Sequence, residues 1–200
     1  MAPLVRRTWA PRGETPTLRQ RTRSRQKVSA AGVVTISPKR RRLGLYVAFY
    51  PNQNIIAAVL IDFLRALRRH VPGPLIVIWD RIATHRARST KAFLSRCPQV
   101  RTVLLPPYAP ELNAVEYVWG YFKGGPLANH APDNADELAR TAVRHARSVA
   151  GRQRLLCGFV RATGLPLRLG GARKGHSGTP PRPRDASVWC SNCLPARGVR

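Results

Sequence analysis

Leu75-Ile76-Val77-Ile78-Trp79-Asp80 is an unbroken apolar run followed by a carboxylate, and it decides the fold class. Five apolar residues without alternation are typical of a strand that is buried on both faces. Such strands belong to α/β folds, in which helices cover both sides of a sheet. Ligands bind at the carboxyl ends of these strands, so position alone makes Asp80 a candidate site residue.

On either side of this run, the spacing of apolar residues is helical in some segments and strand-like in others. Upstream, apolar residues recur at helical spacing over 55–70, and Val71-Pro72-Gly73-Pro74 ends that helix. Downstream, the pattern predicts a helix over 84–96 and a second short buried strand over 100–105. The rigid loop Pro106-Pro107-Tyr108-Ala109-Pro110 follows.

The remaining elements complete an α/β pattern. Two β-prone runs, 28–36 and 43–50, are split by a turn and are expected to pair as antiparallel strands. Further helices are predicted over 113–123 and 134–149, the second with Leu138, Ala142, Val143 and Ala146 facing inward. We therefore expect an α/β sandwich with a mixed sheet flanked by helices.

The charge of the chain is large and unevenly distributed. There are 35 Lys and Arg against 9 Asp and Glu, a formal net charge of +26 over 200 residues. Seven of the nine acids lie within 44–150, so the flanks are almost purely basic. This balance favours a nucleic-acid partner, because each phosphate that Lys or Arg neutralises releases counterions. An acidic solvating protein is excluded.

The same contrast divides the chain into three parts. We expect a basic N-terminal segment at 1–27, a folded core at 28–165 and a disordered basic tail at 166–200, which is rich in Gly and Pro. No stretch approaches the roughly 20 apolar residues of a membrane span. No apolar run follows the basic start, so a signal peptide is not expected either. The predicted location is the cytoplasm of a bacterium, in association with the nucleoid.

The four cysteines do not predict a disulfide framework. Cys97, Cys157, Cys190 and Cys193 are few and scattered, which suits a reducing compartment. Cys190 and Cys193 have metal-type spacing, but no second pair or nearby His completes four zinc ligands.

Two of the acids stand out by position. Asp80 ends a buried strand, and Glu116 follows the proline-rich loop on the first turn of a helix. Two carboxylates at one sheet edge repel each other unless a divalent cation such as Mg²⁺ binds between them. Such sites serve phosphoryl transfer. The alternatives are structural: Asn113 to Glu116 fits a capping box, and Asp80 could cap the turn after its strand.

Three further side chains accompany the two acids. His85 and Arg86 begin the following helix, and Lys123 shares a helical face with Glu116 and Trp119. We expect His85, Arg86 and Lys123 to contact nucleic acid, although a solvated His is the alternative for His85. Trp119 is expected to lie in the core.

The motifs combine in a recognisable order. The residues Trp79-Asp80-Arg81 and His85-Arg86 precede the long stretch Leu105-Pro106-Pro107-Tyr108-Ala109-Pro110-Glu111-Leu112-Asn113-Ala114-Val115-Glu116-Tyr117-Val118-Trp119, and Lys123 follows it. This arrangement resembles the catalytic domain of bacterial insertion-sequence transposases of the mariner-related DDE superfamily. There, a strand-end Asp-Asn with a nearby His precedes the pattern PPYSPxLNPIExxWxxxK. The 35 residues between Asp80 and Glu116 also agree with the family.

A second segment extends the resemblance upstream. The family's TWAPxGxTP pattern is matched by Thr8-Trp9-Ala10-Pro11-Arg12-Gly13 followed by Thr15-Pro16. The resemblance implies a ribonuclease-H-like sandwich in which Asp80, Glu116 and a third carboxylate hold two Mg²⁺ or Mn²⁺ ions. It further implies DNA cleavage and strand transfer on transposon ends and target DNA, without a covalent enzyme intermediate, by a homodimer in a synaptic complex.

The departures from the family pattern are specific. The family's first carboxylate ends a strand just before the TWAPxG segment, and here no Asp or Glu precedes Glu14. A helix-turn-helix region is also missing, so a chain truncated at its amino terminus is expected. Smaller changes are Arg81 for Asn, Ala109 for Ser, Glu111 for Asp and Ala114 for Pro.

The resulting hypothesis is a transposase fragment that binds DNA and does not transpose, because a site lacking one carboxylate holds its second ion poorly. Two other functions stay open. One is a non-enzymatic basic nucleic-acid-binding protein, and the other is a ribonuclease-H-like nuclease that cleaves RNA.

Overall fold

The strand at the centre of the fold is β2 (Leu43–Pro51), which is buried on both faces along nearly its whole length. This computed structural model describes residues 5–17, 26–167, 169 and 188–190. β1 (Val28–Ile36) pairs antiparallel with β2, with Val28 opposite Pro51 and Ile36 opposite Leu43. β5 (Val188–Cys190) pairs parallel with the other edge of β2. The resulting three-stranded sheet has the order β1-β2-β5.

Helices cover both faces of this sheet because β2 is apolar on both. On one face, Ala48 and Tyr50 pack with Phe63 of α1 (Ala57–His70). On the other face, four side chains of β2 enter the main core, which three further helices complete. These helices are α4 (Ala114–Gly124), α5 (Ala135–Ala150) and α6 (Gln153–Ala162).

A second sheet carries the predicted site strand. β3 (Leu75–Trp79) pairs parallel with β4 (Val100–Leu104), with Leu75 opposite Val100. Two short helices connect them, α2 (Ala83–Arg86) and α3 (Arg88–Ser95). Parallel pairing is the arrangement that a helical crossover permits. The α/β class with sheets flanked by helices is thus confirmed, although the described strands form two sheets rather than one.

Two burial predictions are wrong: β3 is not buried on both faces, and β4 is not a buried strand. Val77 and Trp79 pack toward α1 and α3, whereas Ile76 and Ile78 on the opposite face are 71% and 48% exposed. Most of β4 is exposed as well. In the described part of the chain, helices pack against only one face of the β3–β4 sheet. The strand that has helices on both faces is β2.

The predicted helix over 84–96 is interrupted at Ala87, whose ψ of 145° is extended. The carbonyl of Thr84 accepts a hydrogen bond from the buried hydroxyl of Thr90 at 2.8 Å rather than from a helical N–H. The other predicted helices agree within one or two residues, and α6 was not predicted. A short 3-10 turn, Pro110–Leu112, begins at the last residue of the predicted rigid loop.

Both flanks, which were predicted as basic arms, contain residues that contact the folded core. Arg6 is held by Asn129, whose side-chain amide accepts from the Arg6 N–H at 2.8 Å and donates to its carbonyl at 3.0 Å. In the tail, Val188–Cys190 form β5 although 166–200 were predicted to be disordered. Most of that tail, including Cys193, lies outside the described residues.

Candidate functional site

Asp80 follows the last residue of β3, at the carboxyl end of the strand. Its Oδ1 accepts the backbone N–H of Ile82 at 3.2 Å, which is the turn-capping role expected of an Asp at this position. The same oxygen lies 2.8 Å from Nδ1 of His85. Within the described residues, no donor contacts Oδ2. Capping therefore occupies one carboxylate oxygen and leaves the other available to a ligand.

Two contacts hold the His85 ring beside Asp80. Its ring is stacked on Trp79, with 4.2 Å between ring centroids and 11° between planes. Its Nδ1 also lies 3.1 Å from the backbone carbonyl oxygen of Asp80. Both oxygen neighbours of Nδ1 are acceptors, so Nδ1 carries the hydrogen and a neutral ring has its lone pair on Nε2. The solvated alternative is wrong, because only 14% of the side chain is exposed.

Glu116 lies in the first turn of α4 and does not complete a capping box. Asn113 caps the helix by accepting the Val115 N–H at 3.2 Å. The Asn113 N–H, which a capping-box Glu would accept, instead donates to Pro110 O at 3.0 Å. The exposed Glu116 carboxylate has no hydrogen-bond or ion-pair partner in the described part of the chain.

The start of α5 shows the role that Glu116 does not take. There, Glu137 accepts the backbone N–H of Asp133 at 2.7 Å, while Asn134 accepts the Glu137 N–H at 2.9 Å. Both carboxylates occupy first turns after an Asn cap, yet only Glu137 is used to satisfy the helix terminus. The structural explanation for Glu116 is therefore not supported by the geometry.

Asp80 and Glu116 line the same two cavities. One cavity lies between β1 and β3 and also contacts His85. The other is an open groove beside the proline-rich loop, and both acids line it together with Arg81 and Arg86. A strand end and a helix start, with 35 residues between them in sequence, thus contribute Asp80 and Glu116 to the lining of one groove.

The predicted basic residues separate into two locations. Arg86 lies in the groove with the two acids, whereas Lys123 is exposed in the last turn of α4 and lines a different cavity with Phe49 and Leu127. Seven positions, two helical turns, carry Lys123 away from Glu116 along the helix axis. The structure thus brings together Asp80, Glu116, His85 and Arg86, and places Lys123 apart from them.

Two residues of the groove belong to the sequence motif but were not predicted as site residues. Arg81 donates from Nε to the Leu105 carbonyl at 2.9 Å, which ties the end of β3 to the start of the loop. Tyr108 has a left-handed φ of 57° and a fully exposed side chain. The signal for Tyr108 was present, because an aromatic residue between prolines has few neighbours against which to pack. Arg81 stood out only as the replacement of the family's Asn.

The donor set suits a hard cation but is small. Carboxylate oxygens are the ligands that Mg²⁺ prefers, and it usually completes its shell with waters and substrate phosphates. Among the residues that the structure describes, no group of three or more His, Cys, Asp or Glu could hold a metal ion. Two carboxylates supply the kind of oxygen donor that a single divalent ion would use, with water and phosphate oxygens completing its shell.

Comparisons with known proteins place the chain in a family. The parallel pair β3 and β4, the antiparallel pair β1 and β2 and the covering helices agree with the expected ribonuclease-H-like α/β fold. A sequence model described as DDE superfamily endonuclease matches residues 2–139. The chain belongs to that family.

Solved structures of one transposase share the fold. The chain is similar to the Mos1 transposase paired-end complex with left transposon end (TM-score 0.51, 18% identity, 81% of this chain and 47% of that chain). It is also similar to the Mos1 mariner paired end complex with Mn (0.50, 19%, 81% and 47%) and to the Mos1 Strand Transfer Complex (0.50, 19%, 81% and 46%). The chain thus spans about half the length of these proteins.

Two further comparisons gave negative results. No curated protein matches the sequence significantly. None of the helices in the described ranges has the length and apolar character needed to cross a membrane.

Proposed function

We propose that this chain is the metal- and DNA-binding part of a DDE transposase and that it does not catalyse strand transfer by itself. The observation that carries the proposal is the meeting of Asp80 and Glu116 in one groove, where Glu116 has no structural partner among the described residues. Family membership and the Mos1 likeness support the same assignment.

Asp80 and Glu116 would hold the divalent ion, Mg²⁺ or Mn²⁺, through Oδ2 of Asp80 and the Glu116 carboxylate. When bound, such an ion supplies Lewis acidity toward a phosphate oxygen and lowers the pKa of an attacking water. His85 keeps the Asp80 carboxylate in place, since its Nδ1–H contacts Oδ1 at 2.8 Å while Trp79 supports the ring. One of the similar Mos1 structures is a paired end complex with Mn, which is consistent with this assignment.

The inactivity follows from the number of carboxylates. Two-metal sites stabilise both the attacking and the leaving oxygen, and they need bridging negative charge. No third carboxylate of the described residues lines either cavity beside Asp80 and Glu116. We propose that one ion binds, that a second binds poorly, and that cleavage and strand transfer therefore require a further acid.

DNA is the proposed partner because charge and groove chemistry agree. Arg81 and Arg86 line the groove that holds the two acids, and the whole chain carries a net charge of +26. Guanidinium groups beside a metal site neutralise the phosphates next to the reacting one. The exposed Lys123 would contact the backbone farther along. The similar Mos1 structures include a complex with the left transposon end and a strand transfer complex, which supports transposon ends and target DNA as the polymer.

The proposal extends to the assembly and the location of the protein. Paired-end complexes of Mos1 support a homodimer that brings two DNA ends together. A chain with this net charge would remain on the bacterial nucleoid by sequence-independent attraction to phosphate.

The test uses the full chain in two assays. Fluorescence anisotropy measures binding to duplex DNA, and a gel assay with labelled donor and supercoiled target DNA measures strand transfer in Mg²⁺ and in Mn²⁺. We expect binding that weakens steeply with salt, and no joined product in either metal. Measurable metal-dependent strand transfer would overturn the claim of inactivity.

The same samples separate the two other functions. Cleavage of an RNA:DNA hybrid but not of duplex DNA would indicate a ribonuclease-H-like nuclease. DNA binding with no response of the folded chain to Mg²⁺ or Mn²⁺ would indicate a non-enzymatic nucleic-acid-binding protein.

A further inference from the structure

The turn between β1 and β2 concentrates positive charge. Residues 39–42 are Lys-Arg-Arg-Arg, and all four are exposed. The sequence has no acidic residue between Glu14 and Asp62, and none of the ion pairs among the described residues involves residues 39–41. Like charges this close repel one another, and a bound polyanion relieves that repulsion. We refer to residues 39–42 as the basic turn.

The backbone of the basic turn is closed by Ser37. Its carbonyl accepts the Arg40 N–H at 2.7 Å, and its hydroxyl accepts the Arg42 N–H at 3.1 Å. Arg40 has a left-handed φ of 53°, the conformation in which glycine is favoured. Arginine at this position costs stability that glycine would retain. Strain of this kind is typical of positions that bind a ligand.

The basic turn lies at the opposite end of β2 from the two acids. β2 begins at Leu43, directly after the turn, and ends at Pro51. Beyond that end, the Ile55 carbonyl accepts a hydrogen bond from the Thr84 hydroxyl at 3.3 Å, and Ile55 lines a cavity together with Asp80. A strand of nine residues spans about 27 Å. The basic turn is therefore a separate location from the groove.

We propose that residues 39–41 form a second contact for the DNA backbone, apart from the groove that Asp80 and Glu116 line. This inference rests on the proposed function, because it takes DNA as the partner. Lys and Arg bind phosphate through charge-assisted hydrogen bonds, and such contacts position a duplex without reading its sequence. One turn of B-DNA, about 34 Å, is long enough to reach from the groove to the basic turn.

The test measures how the affinity of the full chain for a duplex of about three helical turns depends on salt, by fluorescence anisotropy. The variant combines Lys39→Gln, Arg40→Gln and Arg41→Gln. Each phosphate contact contributes about 0.9 to the slope of log affinity against log salt. The slope should therefore fall by about 3 in this variant. An unchanged slope would overturn the proposal.

α5 offers a control that loses the same charge. Arg140, Arg144 and Arg147 are exposed on this helix, whose first turn carries Asp136 and Glu137. The combined substitution of these three arginines by Gln should leave the slope unchanged. If both triple variants lowered the slope equally, net charge alone would account for the effect, and a specific contact at the basic turn would be ruled out.

Arg40→Gly separates a binding role from a structural one. It removes one cation and also relieves the left-handed strain. We expect the slope to fall by about 1 while the melting temperature does not fall. A lower melting temperature with an unchanged slope would show that Arg40 supports the turn rather than binding DNA, and it would overturn the proposal.

Failure of this inference and failure of the proposed function give different results. A wild-type chain that does not bind DNA would overturn both. A slope that falls in Arg86→Gln but not in the basic-turn variant would overturn the second contact alone. The effect of the basic-turn variant should persist in EDTA, because the turn is far from the two carboxylates. An effect that required Mg²⁺ or Mn²⁺ would contradict a separate contact.

Discussion

His85 lies flat on Trp79, and this stacking brings its Nδ1 to 2.8 Å from Oδ1 of Asp80. The buried indole thus supports the imidazole, and the imidazole restrains the carboxylate. A flexible Asp at the end of a strand would lose side-chain entropy on binding a cation, whereas a restrained one loses less. We therefore propose that His85 positions Asp80 and is not itself a metal ligand.

His85→Ala should weaken Mn²⁺ binding to the full chain by about ten-fold, the lower end of the usual effect of removing a residue that orients a metal ligand. His85→Phe keeps a flat ring on Trp79 but has no N–H. Isothermal titration with Mn²⁺ should show the same loss for both variants, while thermal melting shows His85→Phe to be the more stable. Full Mn²⁺ affinity in His85→Phe would contradict the positioning role.

Gly32 and Trp119 are a second pair of residues in close packing contact. A Cβ at Gly32 would lie 2.8 Å from Cζ2 of the Trp119 ring, so only glycine allows this indole to pack against β1. Gly32→Ala should lower the free energy of unfolding by about 1–3 kcal/mol, because the rigid ring has to shift. Urea denaturation followed by tryptophan fluorescence measures the change.

Gly158 provides the matched control. It lies inside α6, and a Cβ there would have no neighbour within 4 Å. Gly158→Ala should therefore stabilise the chain by up to about 1 kcal/mol through helix propensity. Destabilisation of similar size in both variants would show that packing against Trp119 is not what requires glycine at position 32.

Tyr50 should make the stability sensitive to alkaline pH. Burial, together with the charge of Asp62, raises the pKa of Tyr50 from 10.0 to about 12. Below pH 10 the phenol is neutral in both states and gives no pH dependence. Between about pH 10 and 12 the unfolded chain releases this proton first, so the free energy of unfolding falls as the pH rises.

Urea denaturation at a series of pH values tests this titration, with Tyr50→Phe as the reference. The difference in unfolding free energy between the wild type and Tyr50→Phe should be constant up to about pH 10 and should then change steadily to about pH 12. A difference that stays constant over that range would mean that Tyr50 titrates alike in the folded and unfolded chain.

The salt dependence of DNA binding should distinguish residues that contact phosphate. Replacing one such residue lowers the slope of log affinity against log salt by about 1. Arg86→Gln is expected to show this change, since Arg86 lines the groove with Asp80 and Glu116. Arg140→Gln, in an exposed position of α5 that lines neither site cavity, is the control. Identical slopes for the two variants would remove Arg86 from the interface.

The strand positions could be predicted from the sequence, but the burial of each strand could not. Residues 75–79 and 43–50 are both strongly apolar, and a single chain does not show which strand receives helices on both faces. β2 receives them because α1 and the α4–α6 group reach it from opposite sides. Long-range packing of this kind leaves no local periodicity.

The positions of the two acids could be predicted from the local sequence, but the contacts of their side chains could not. The end of a buried strand and the first turn after a proline loop are readable locally, and both acids indeed line one groove. Whether Glu116 caps its helix depended on the Asn113 N–H, which Pro110 O occupies through a 3-10 turn. The stacking of His85 on Trp79 depended on the break at Ala87, which no proline or glycine signals.

The most direct test of the central claim is Mn²⁺-dependent thermal melting of the full chain and of three variants. If Asp80 and Glu116 hold the ion, the wild type should gain about 2.7 kcal/mol at a Mn²⁺ concentration one hundred times the Kd. Asp80→Asn and Glu116→Gln should lose that gain. Glu111→Gln removes a charge five positions from Glu116 but lines neither cavity, so it should retain the gain. The same response in all three variants, or no response in the wild type, would contradict a metal site at these two carboxylates.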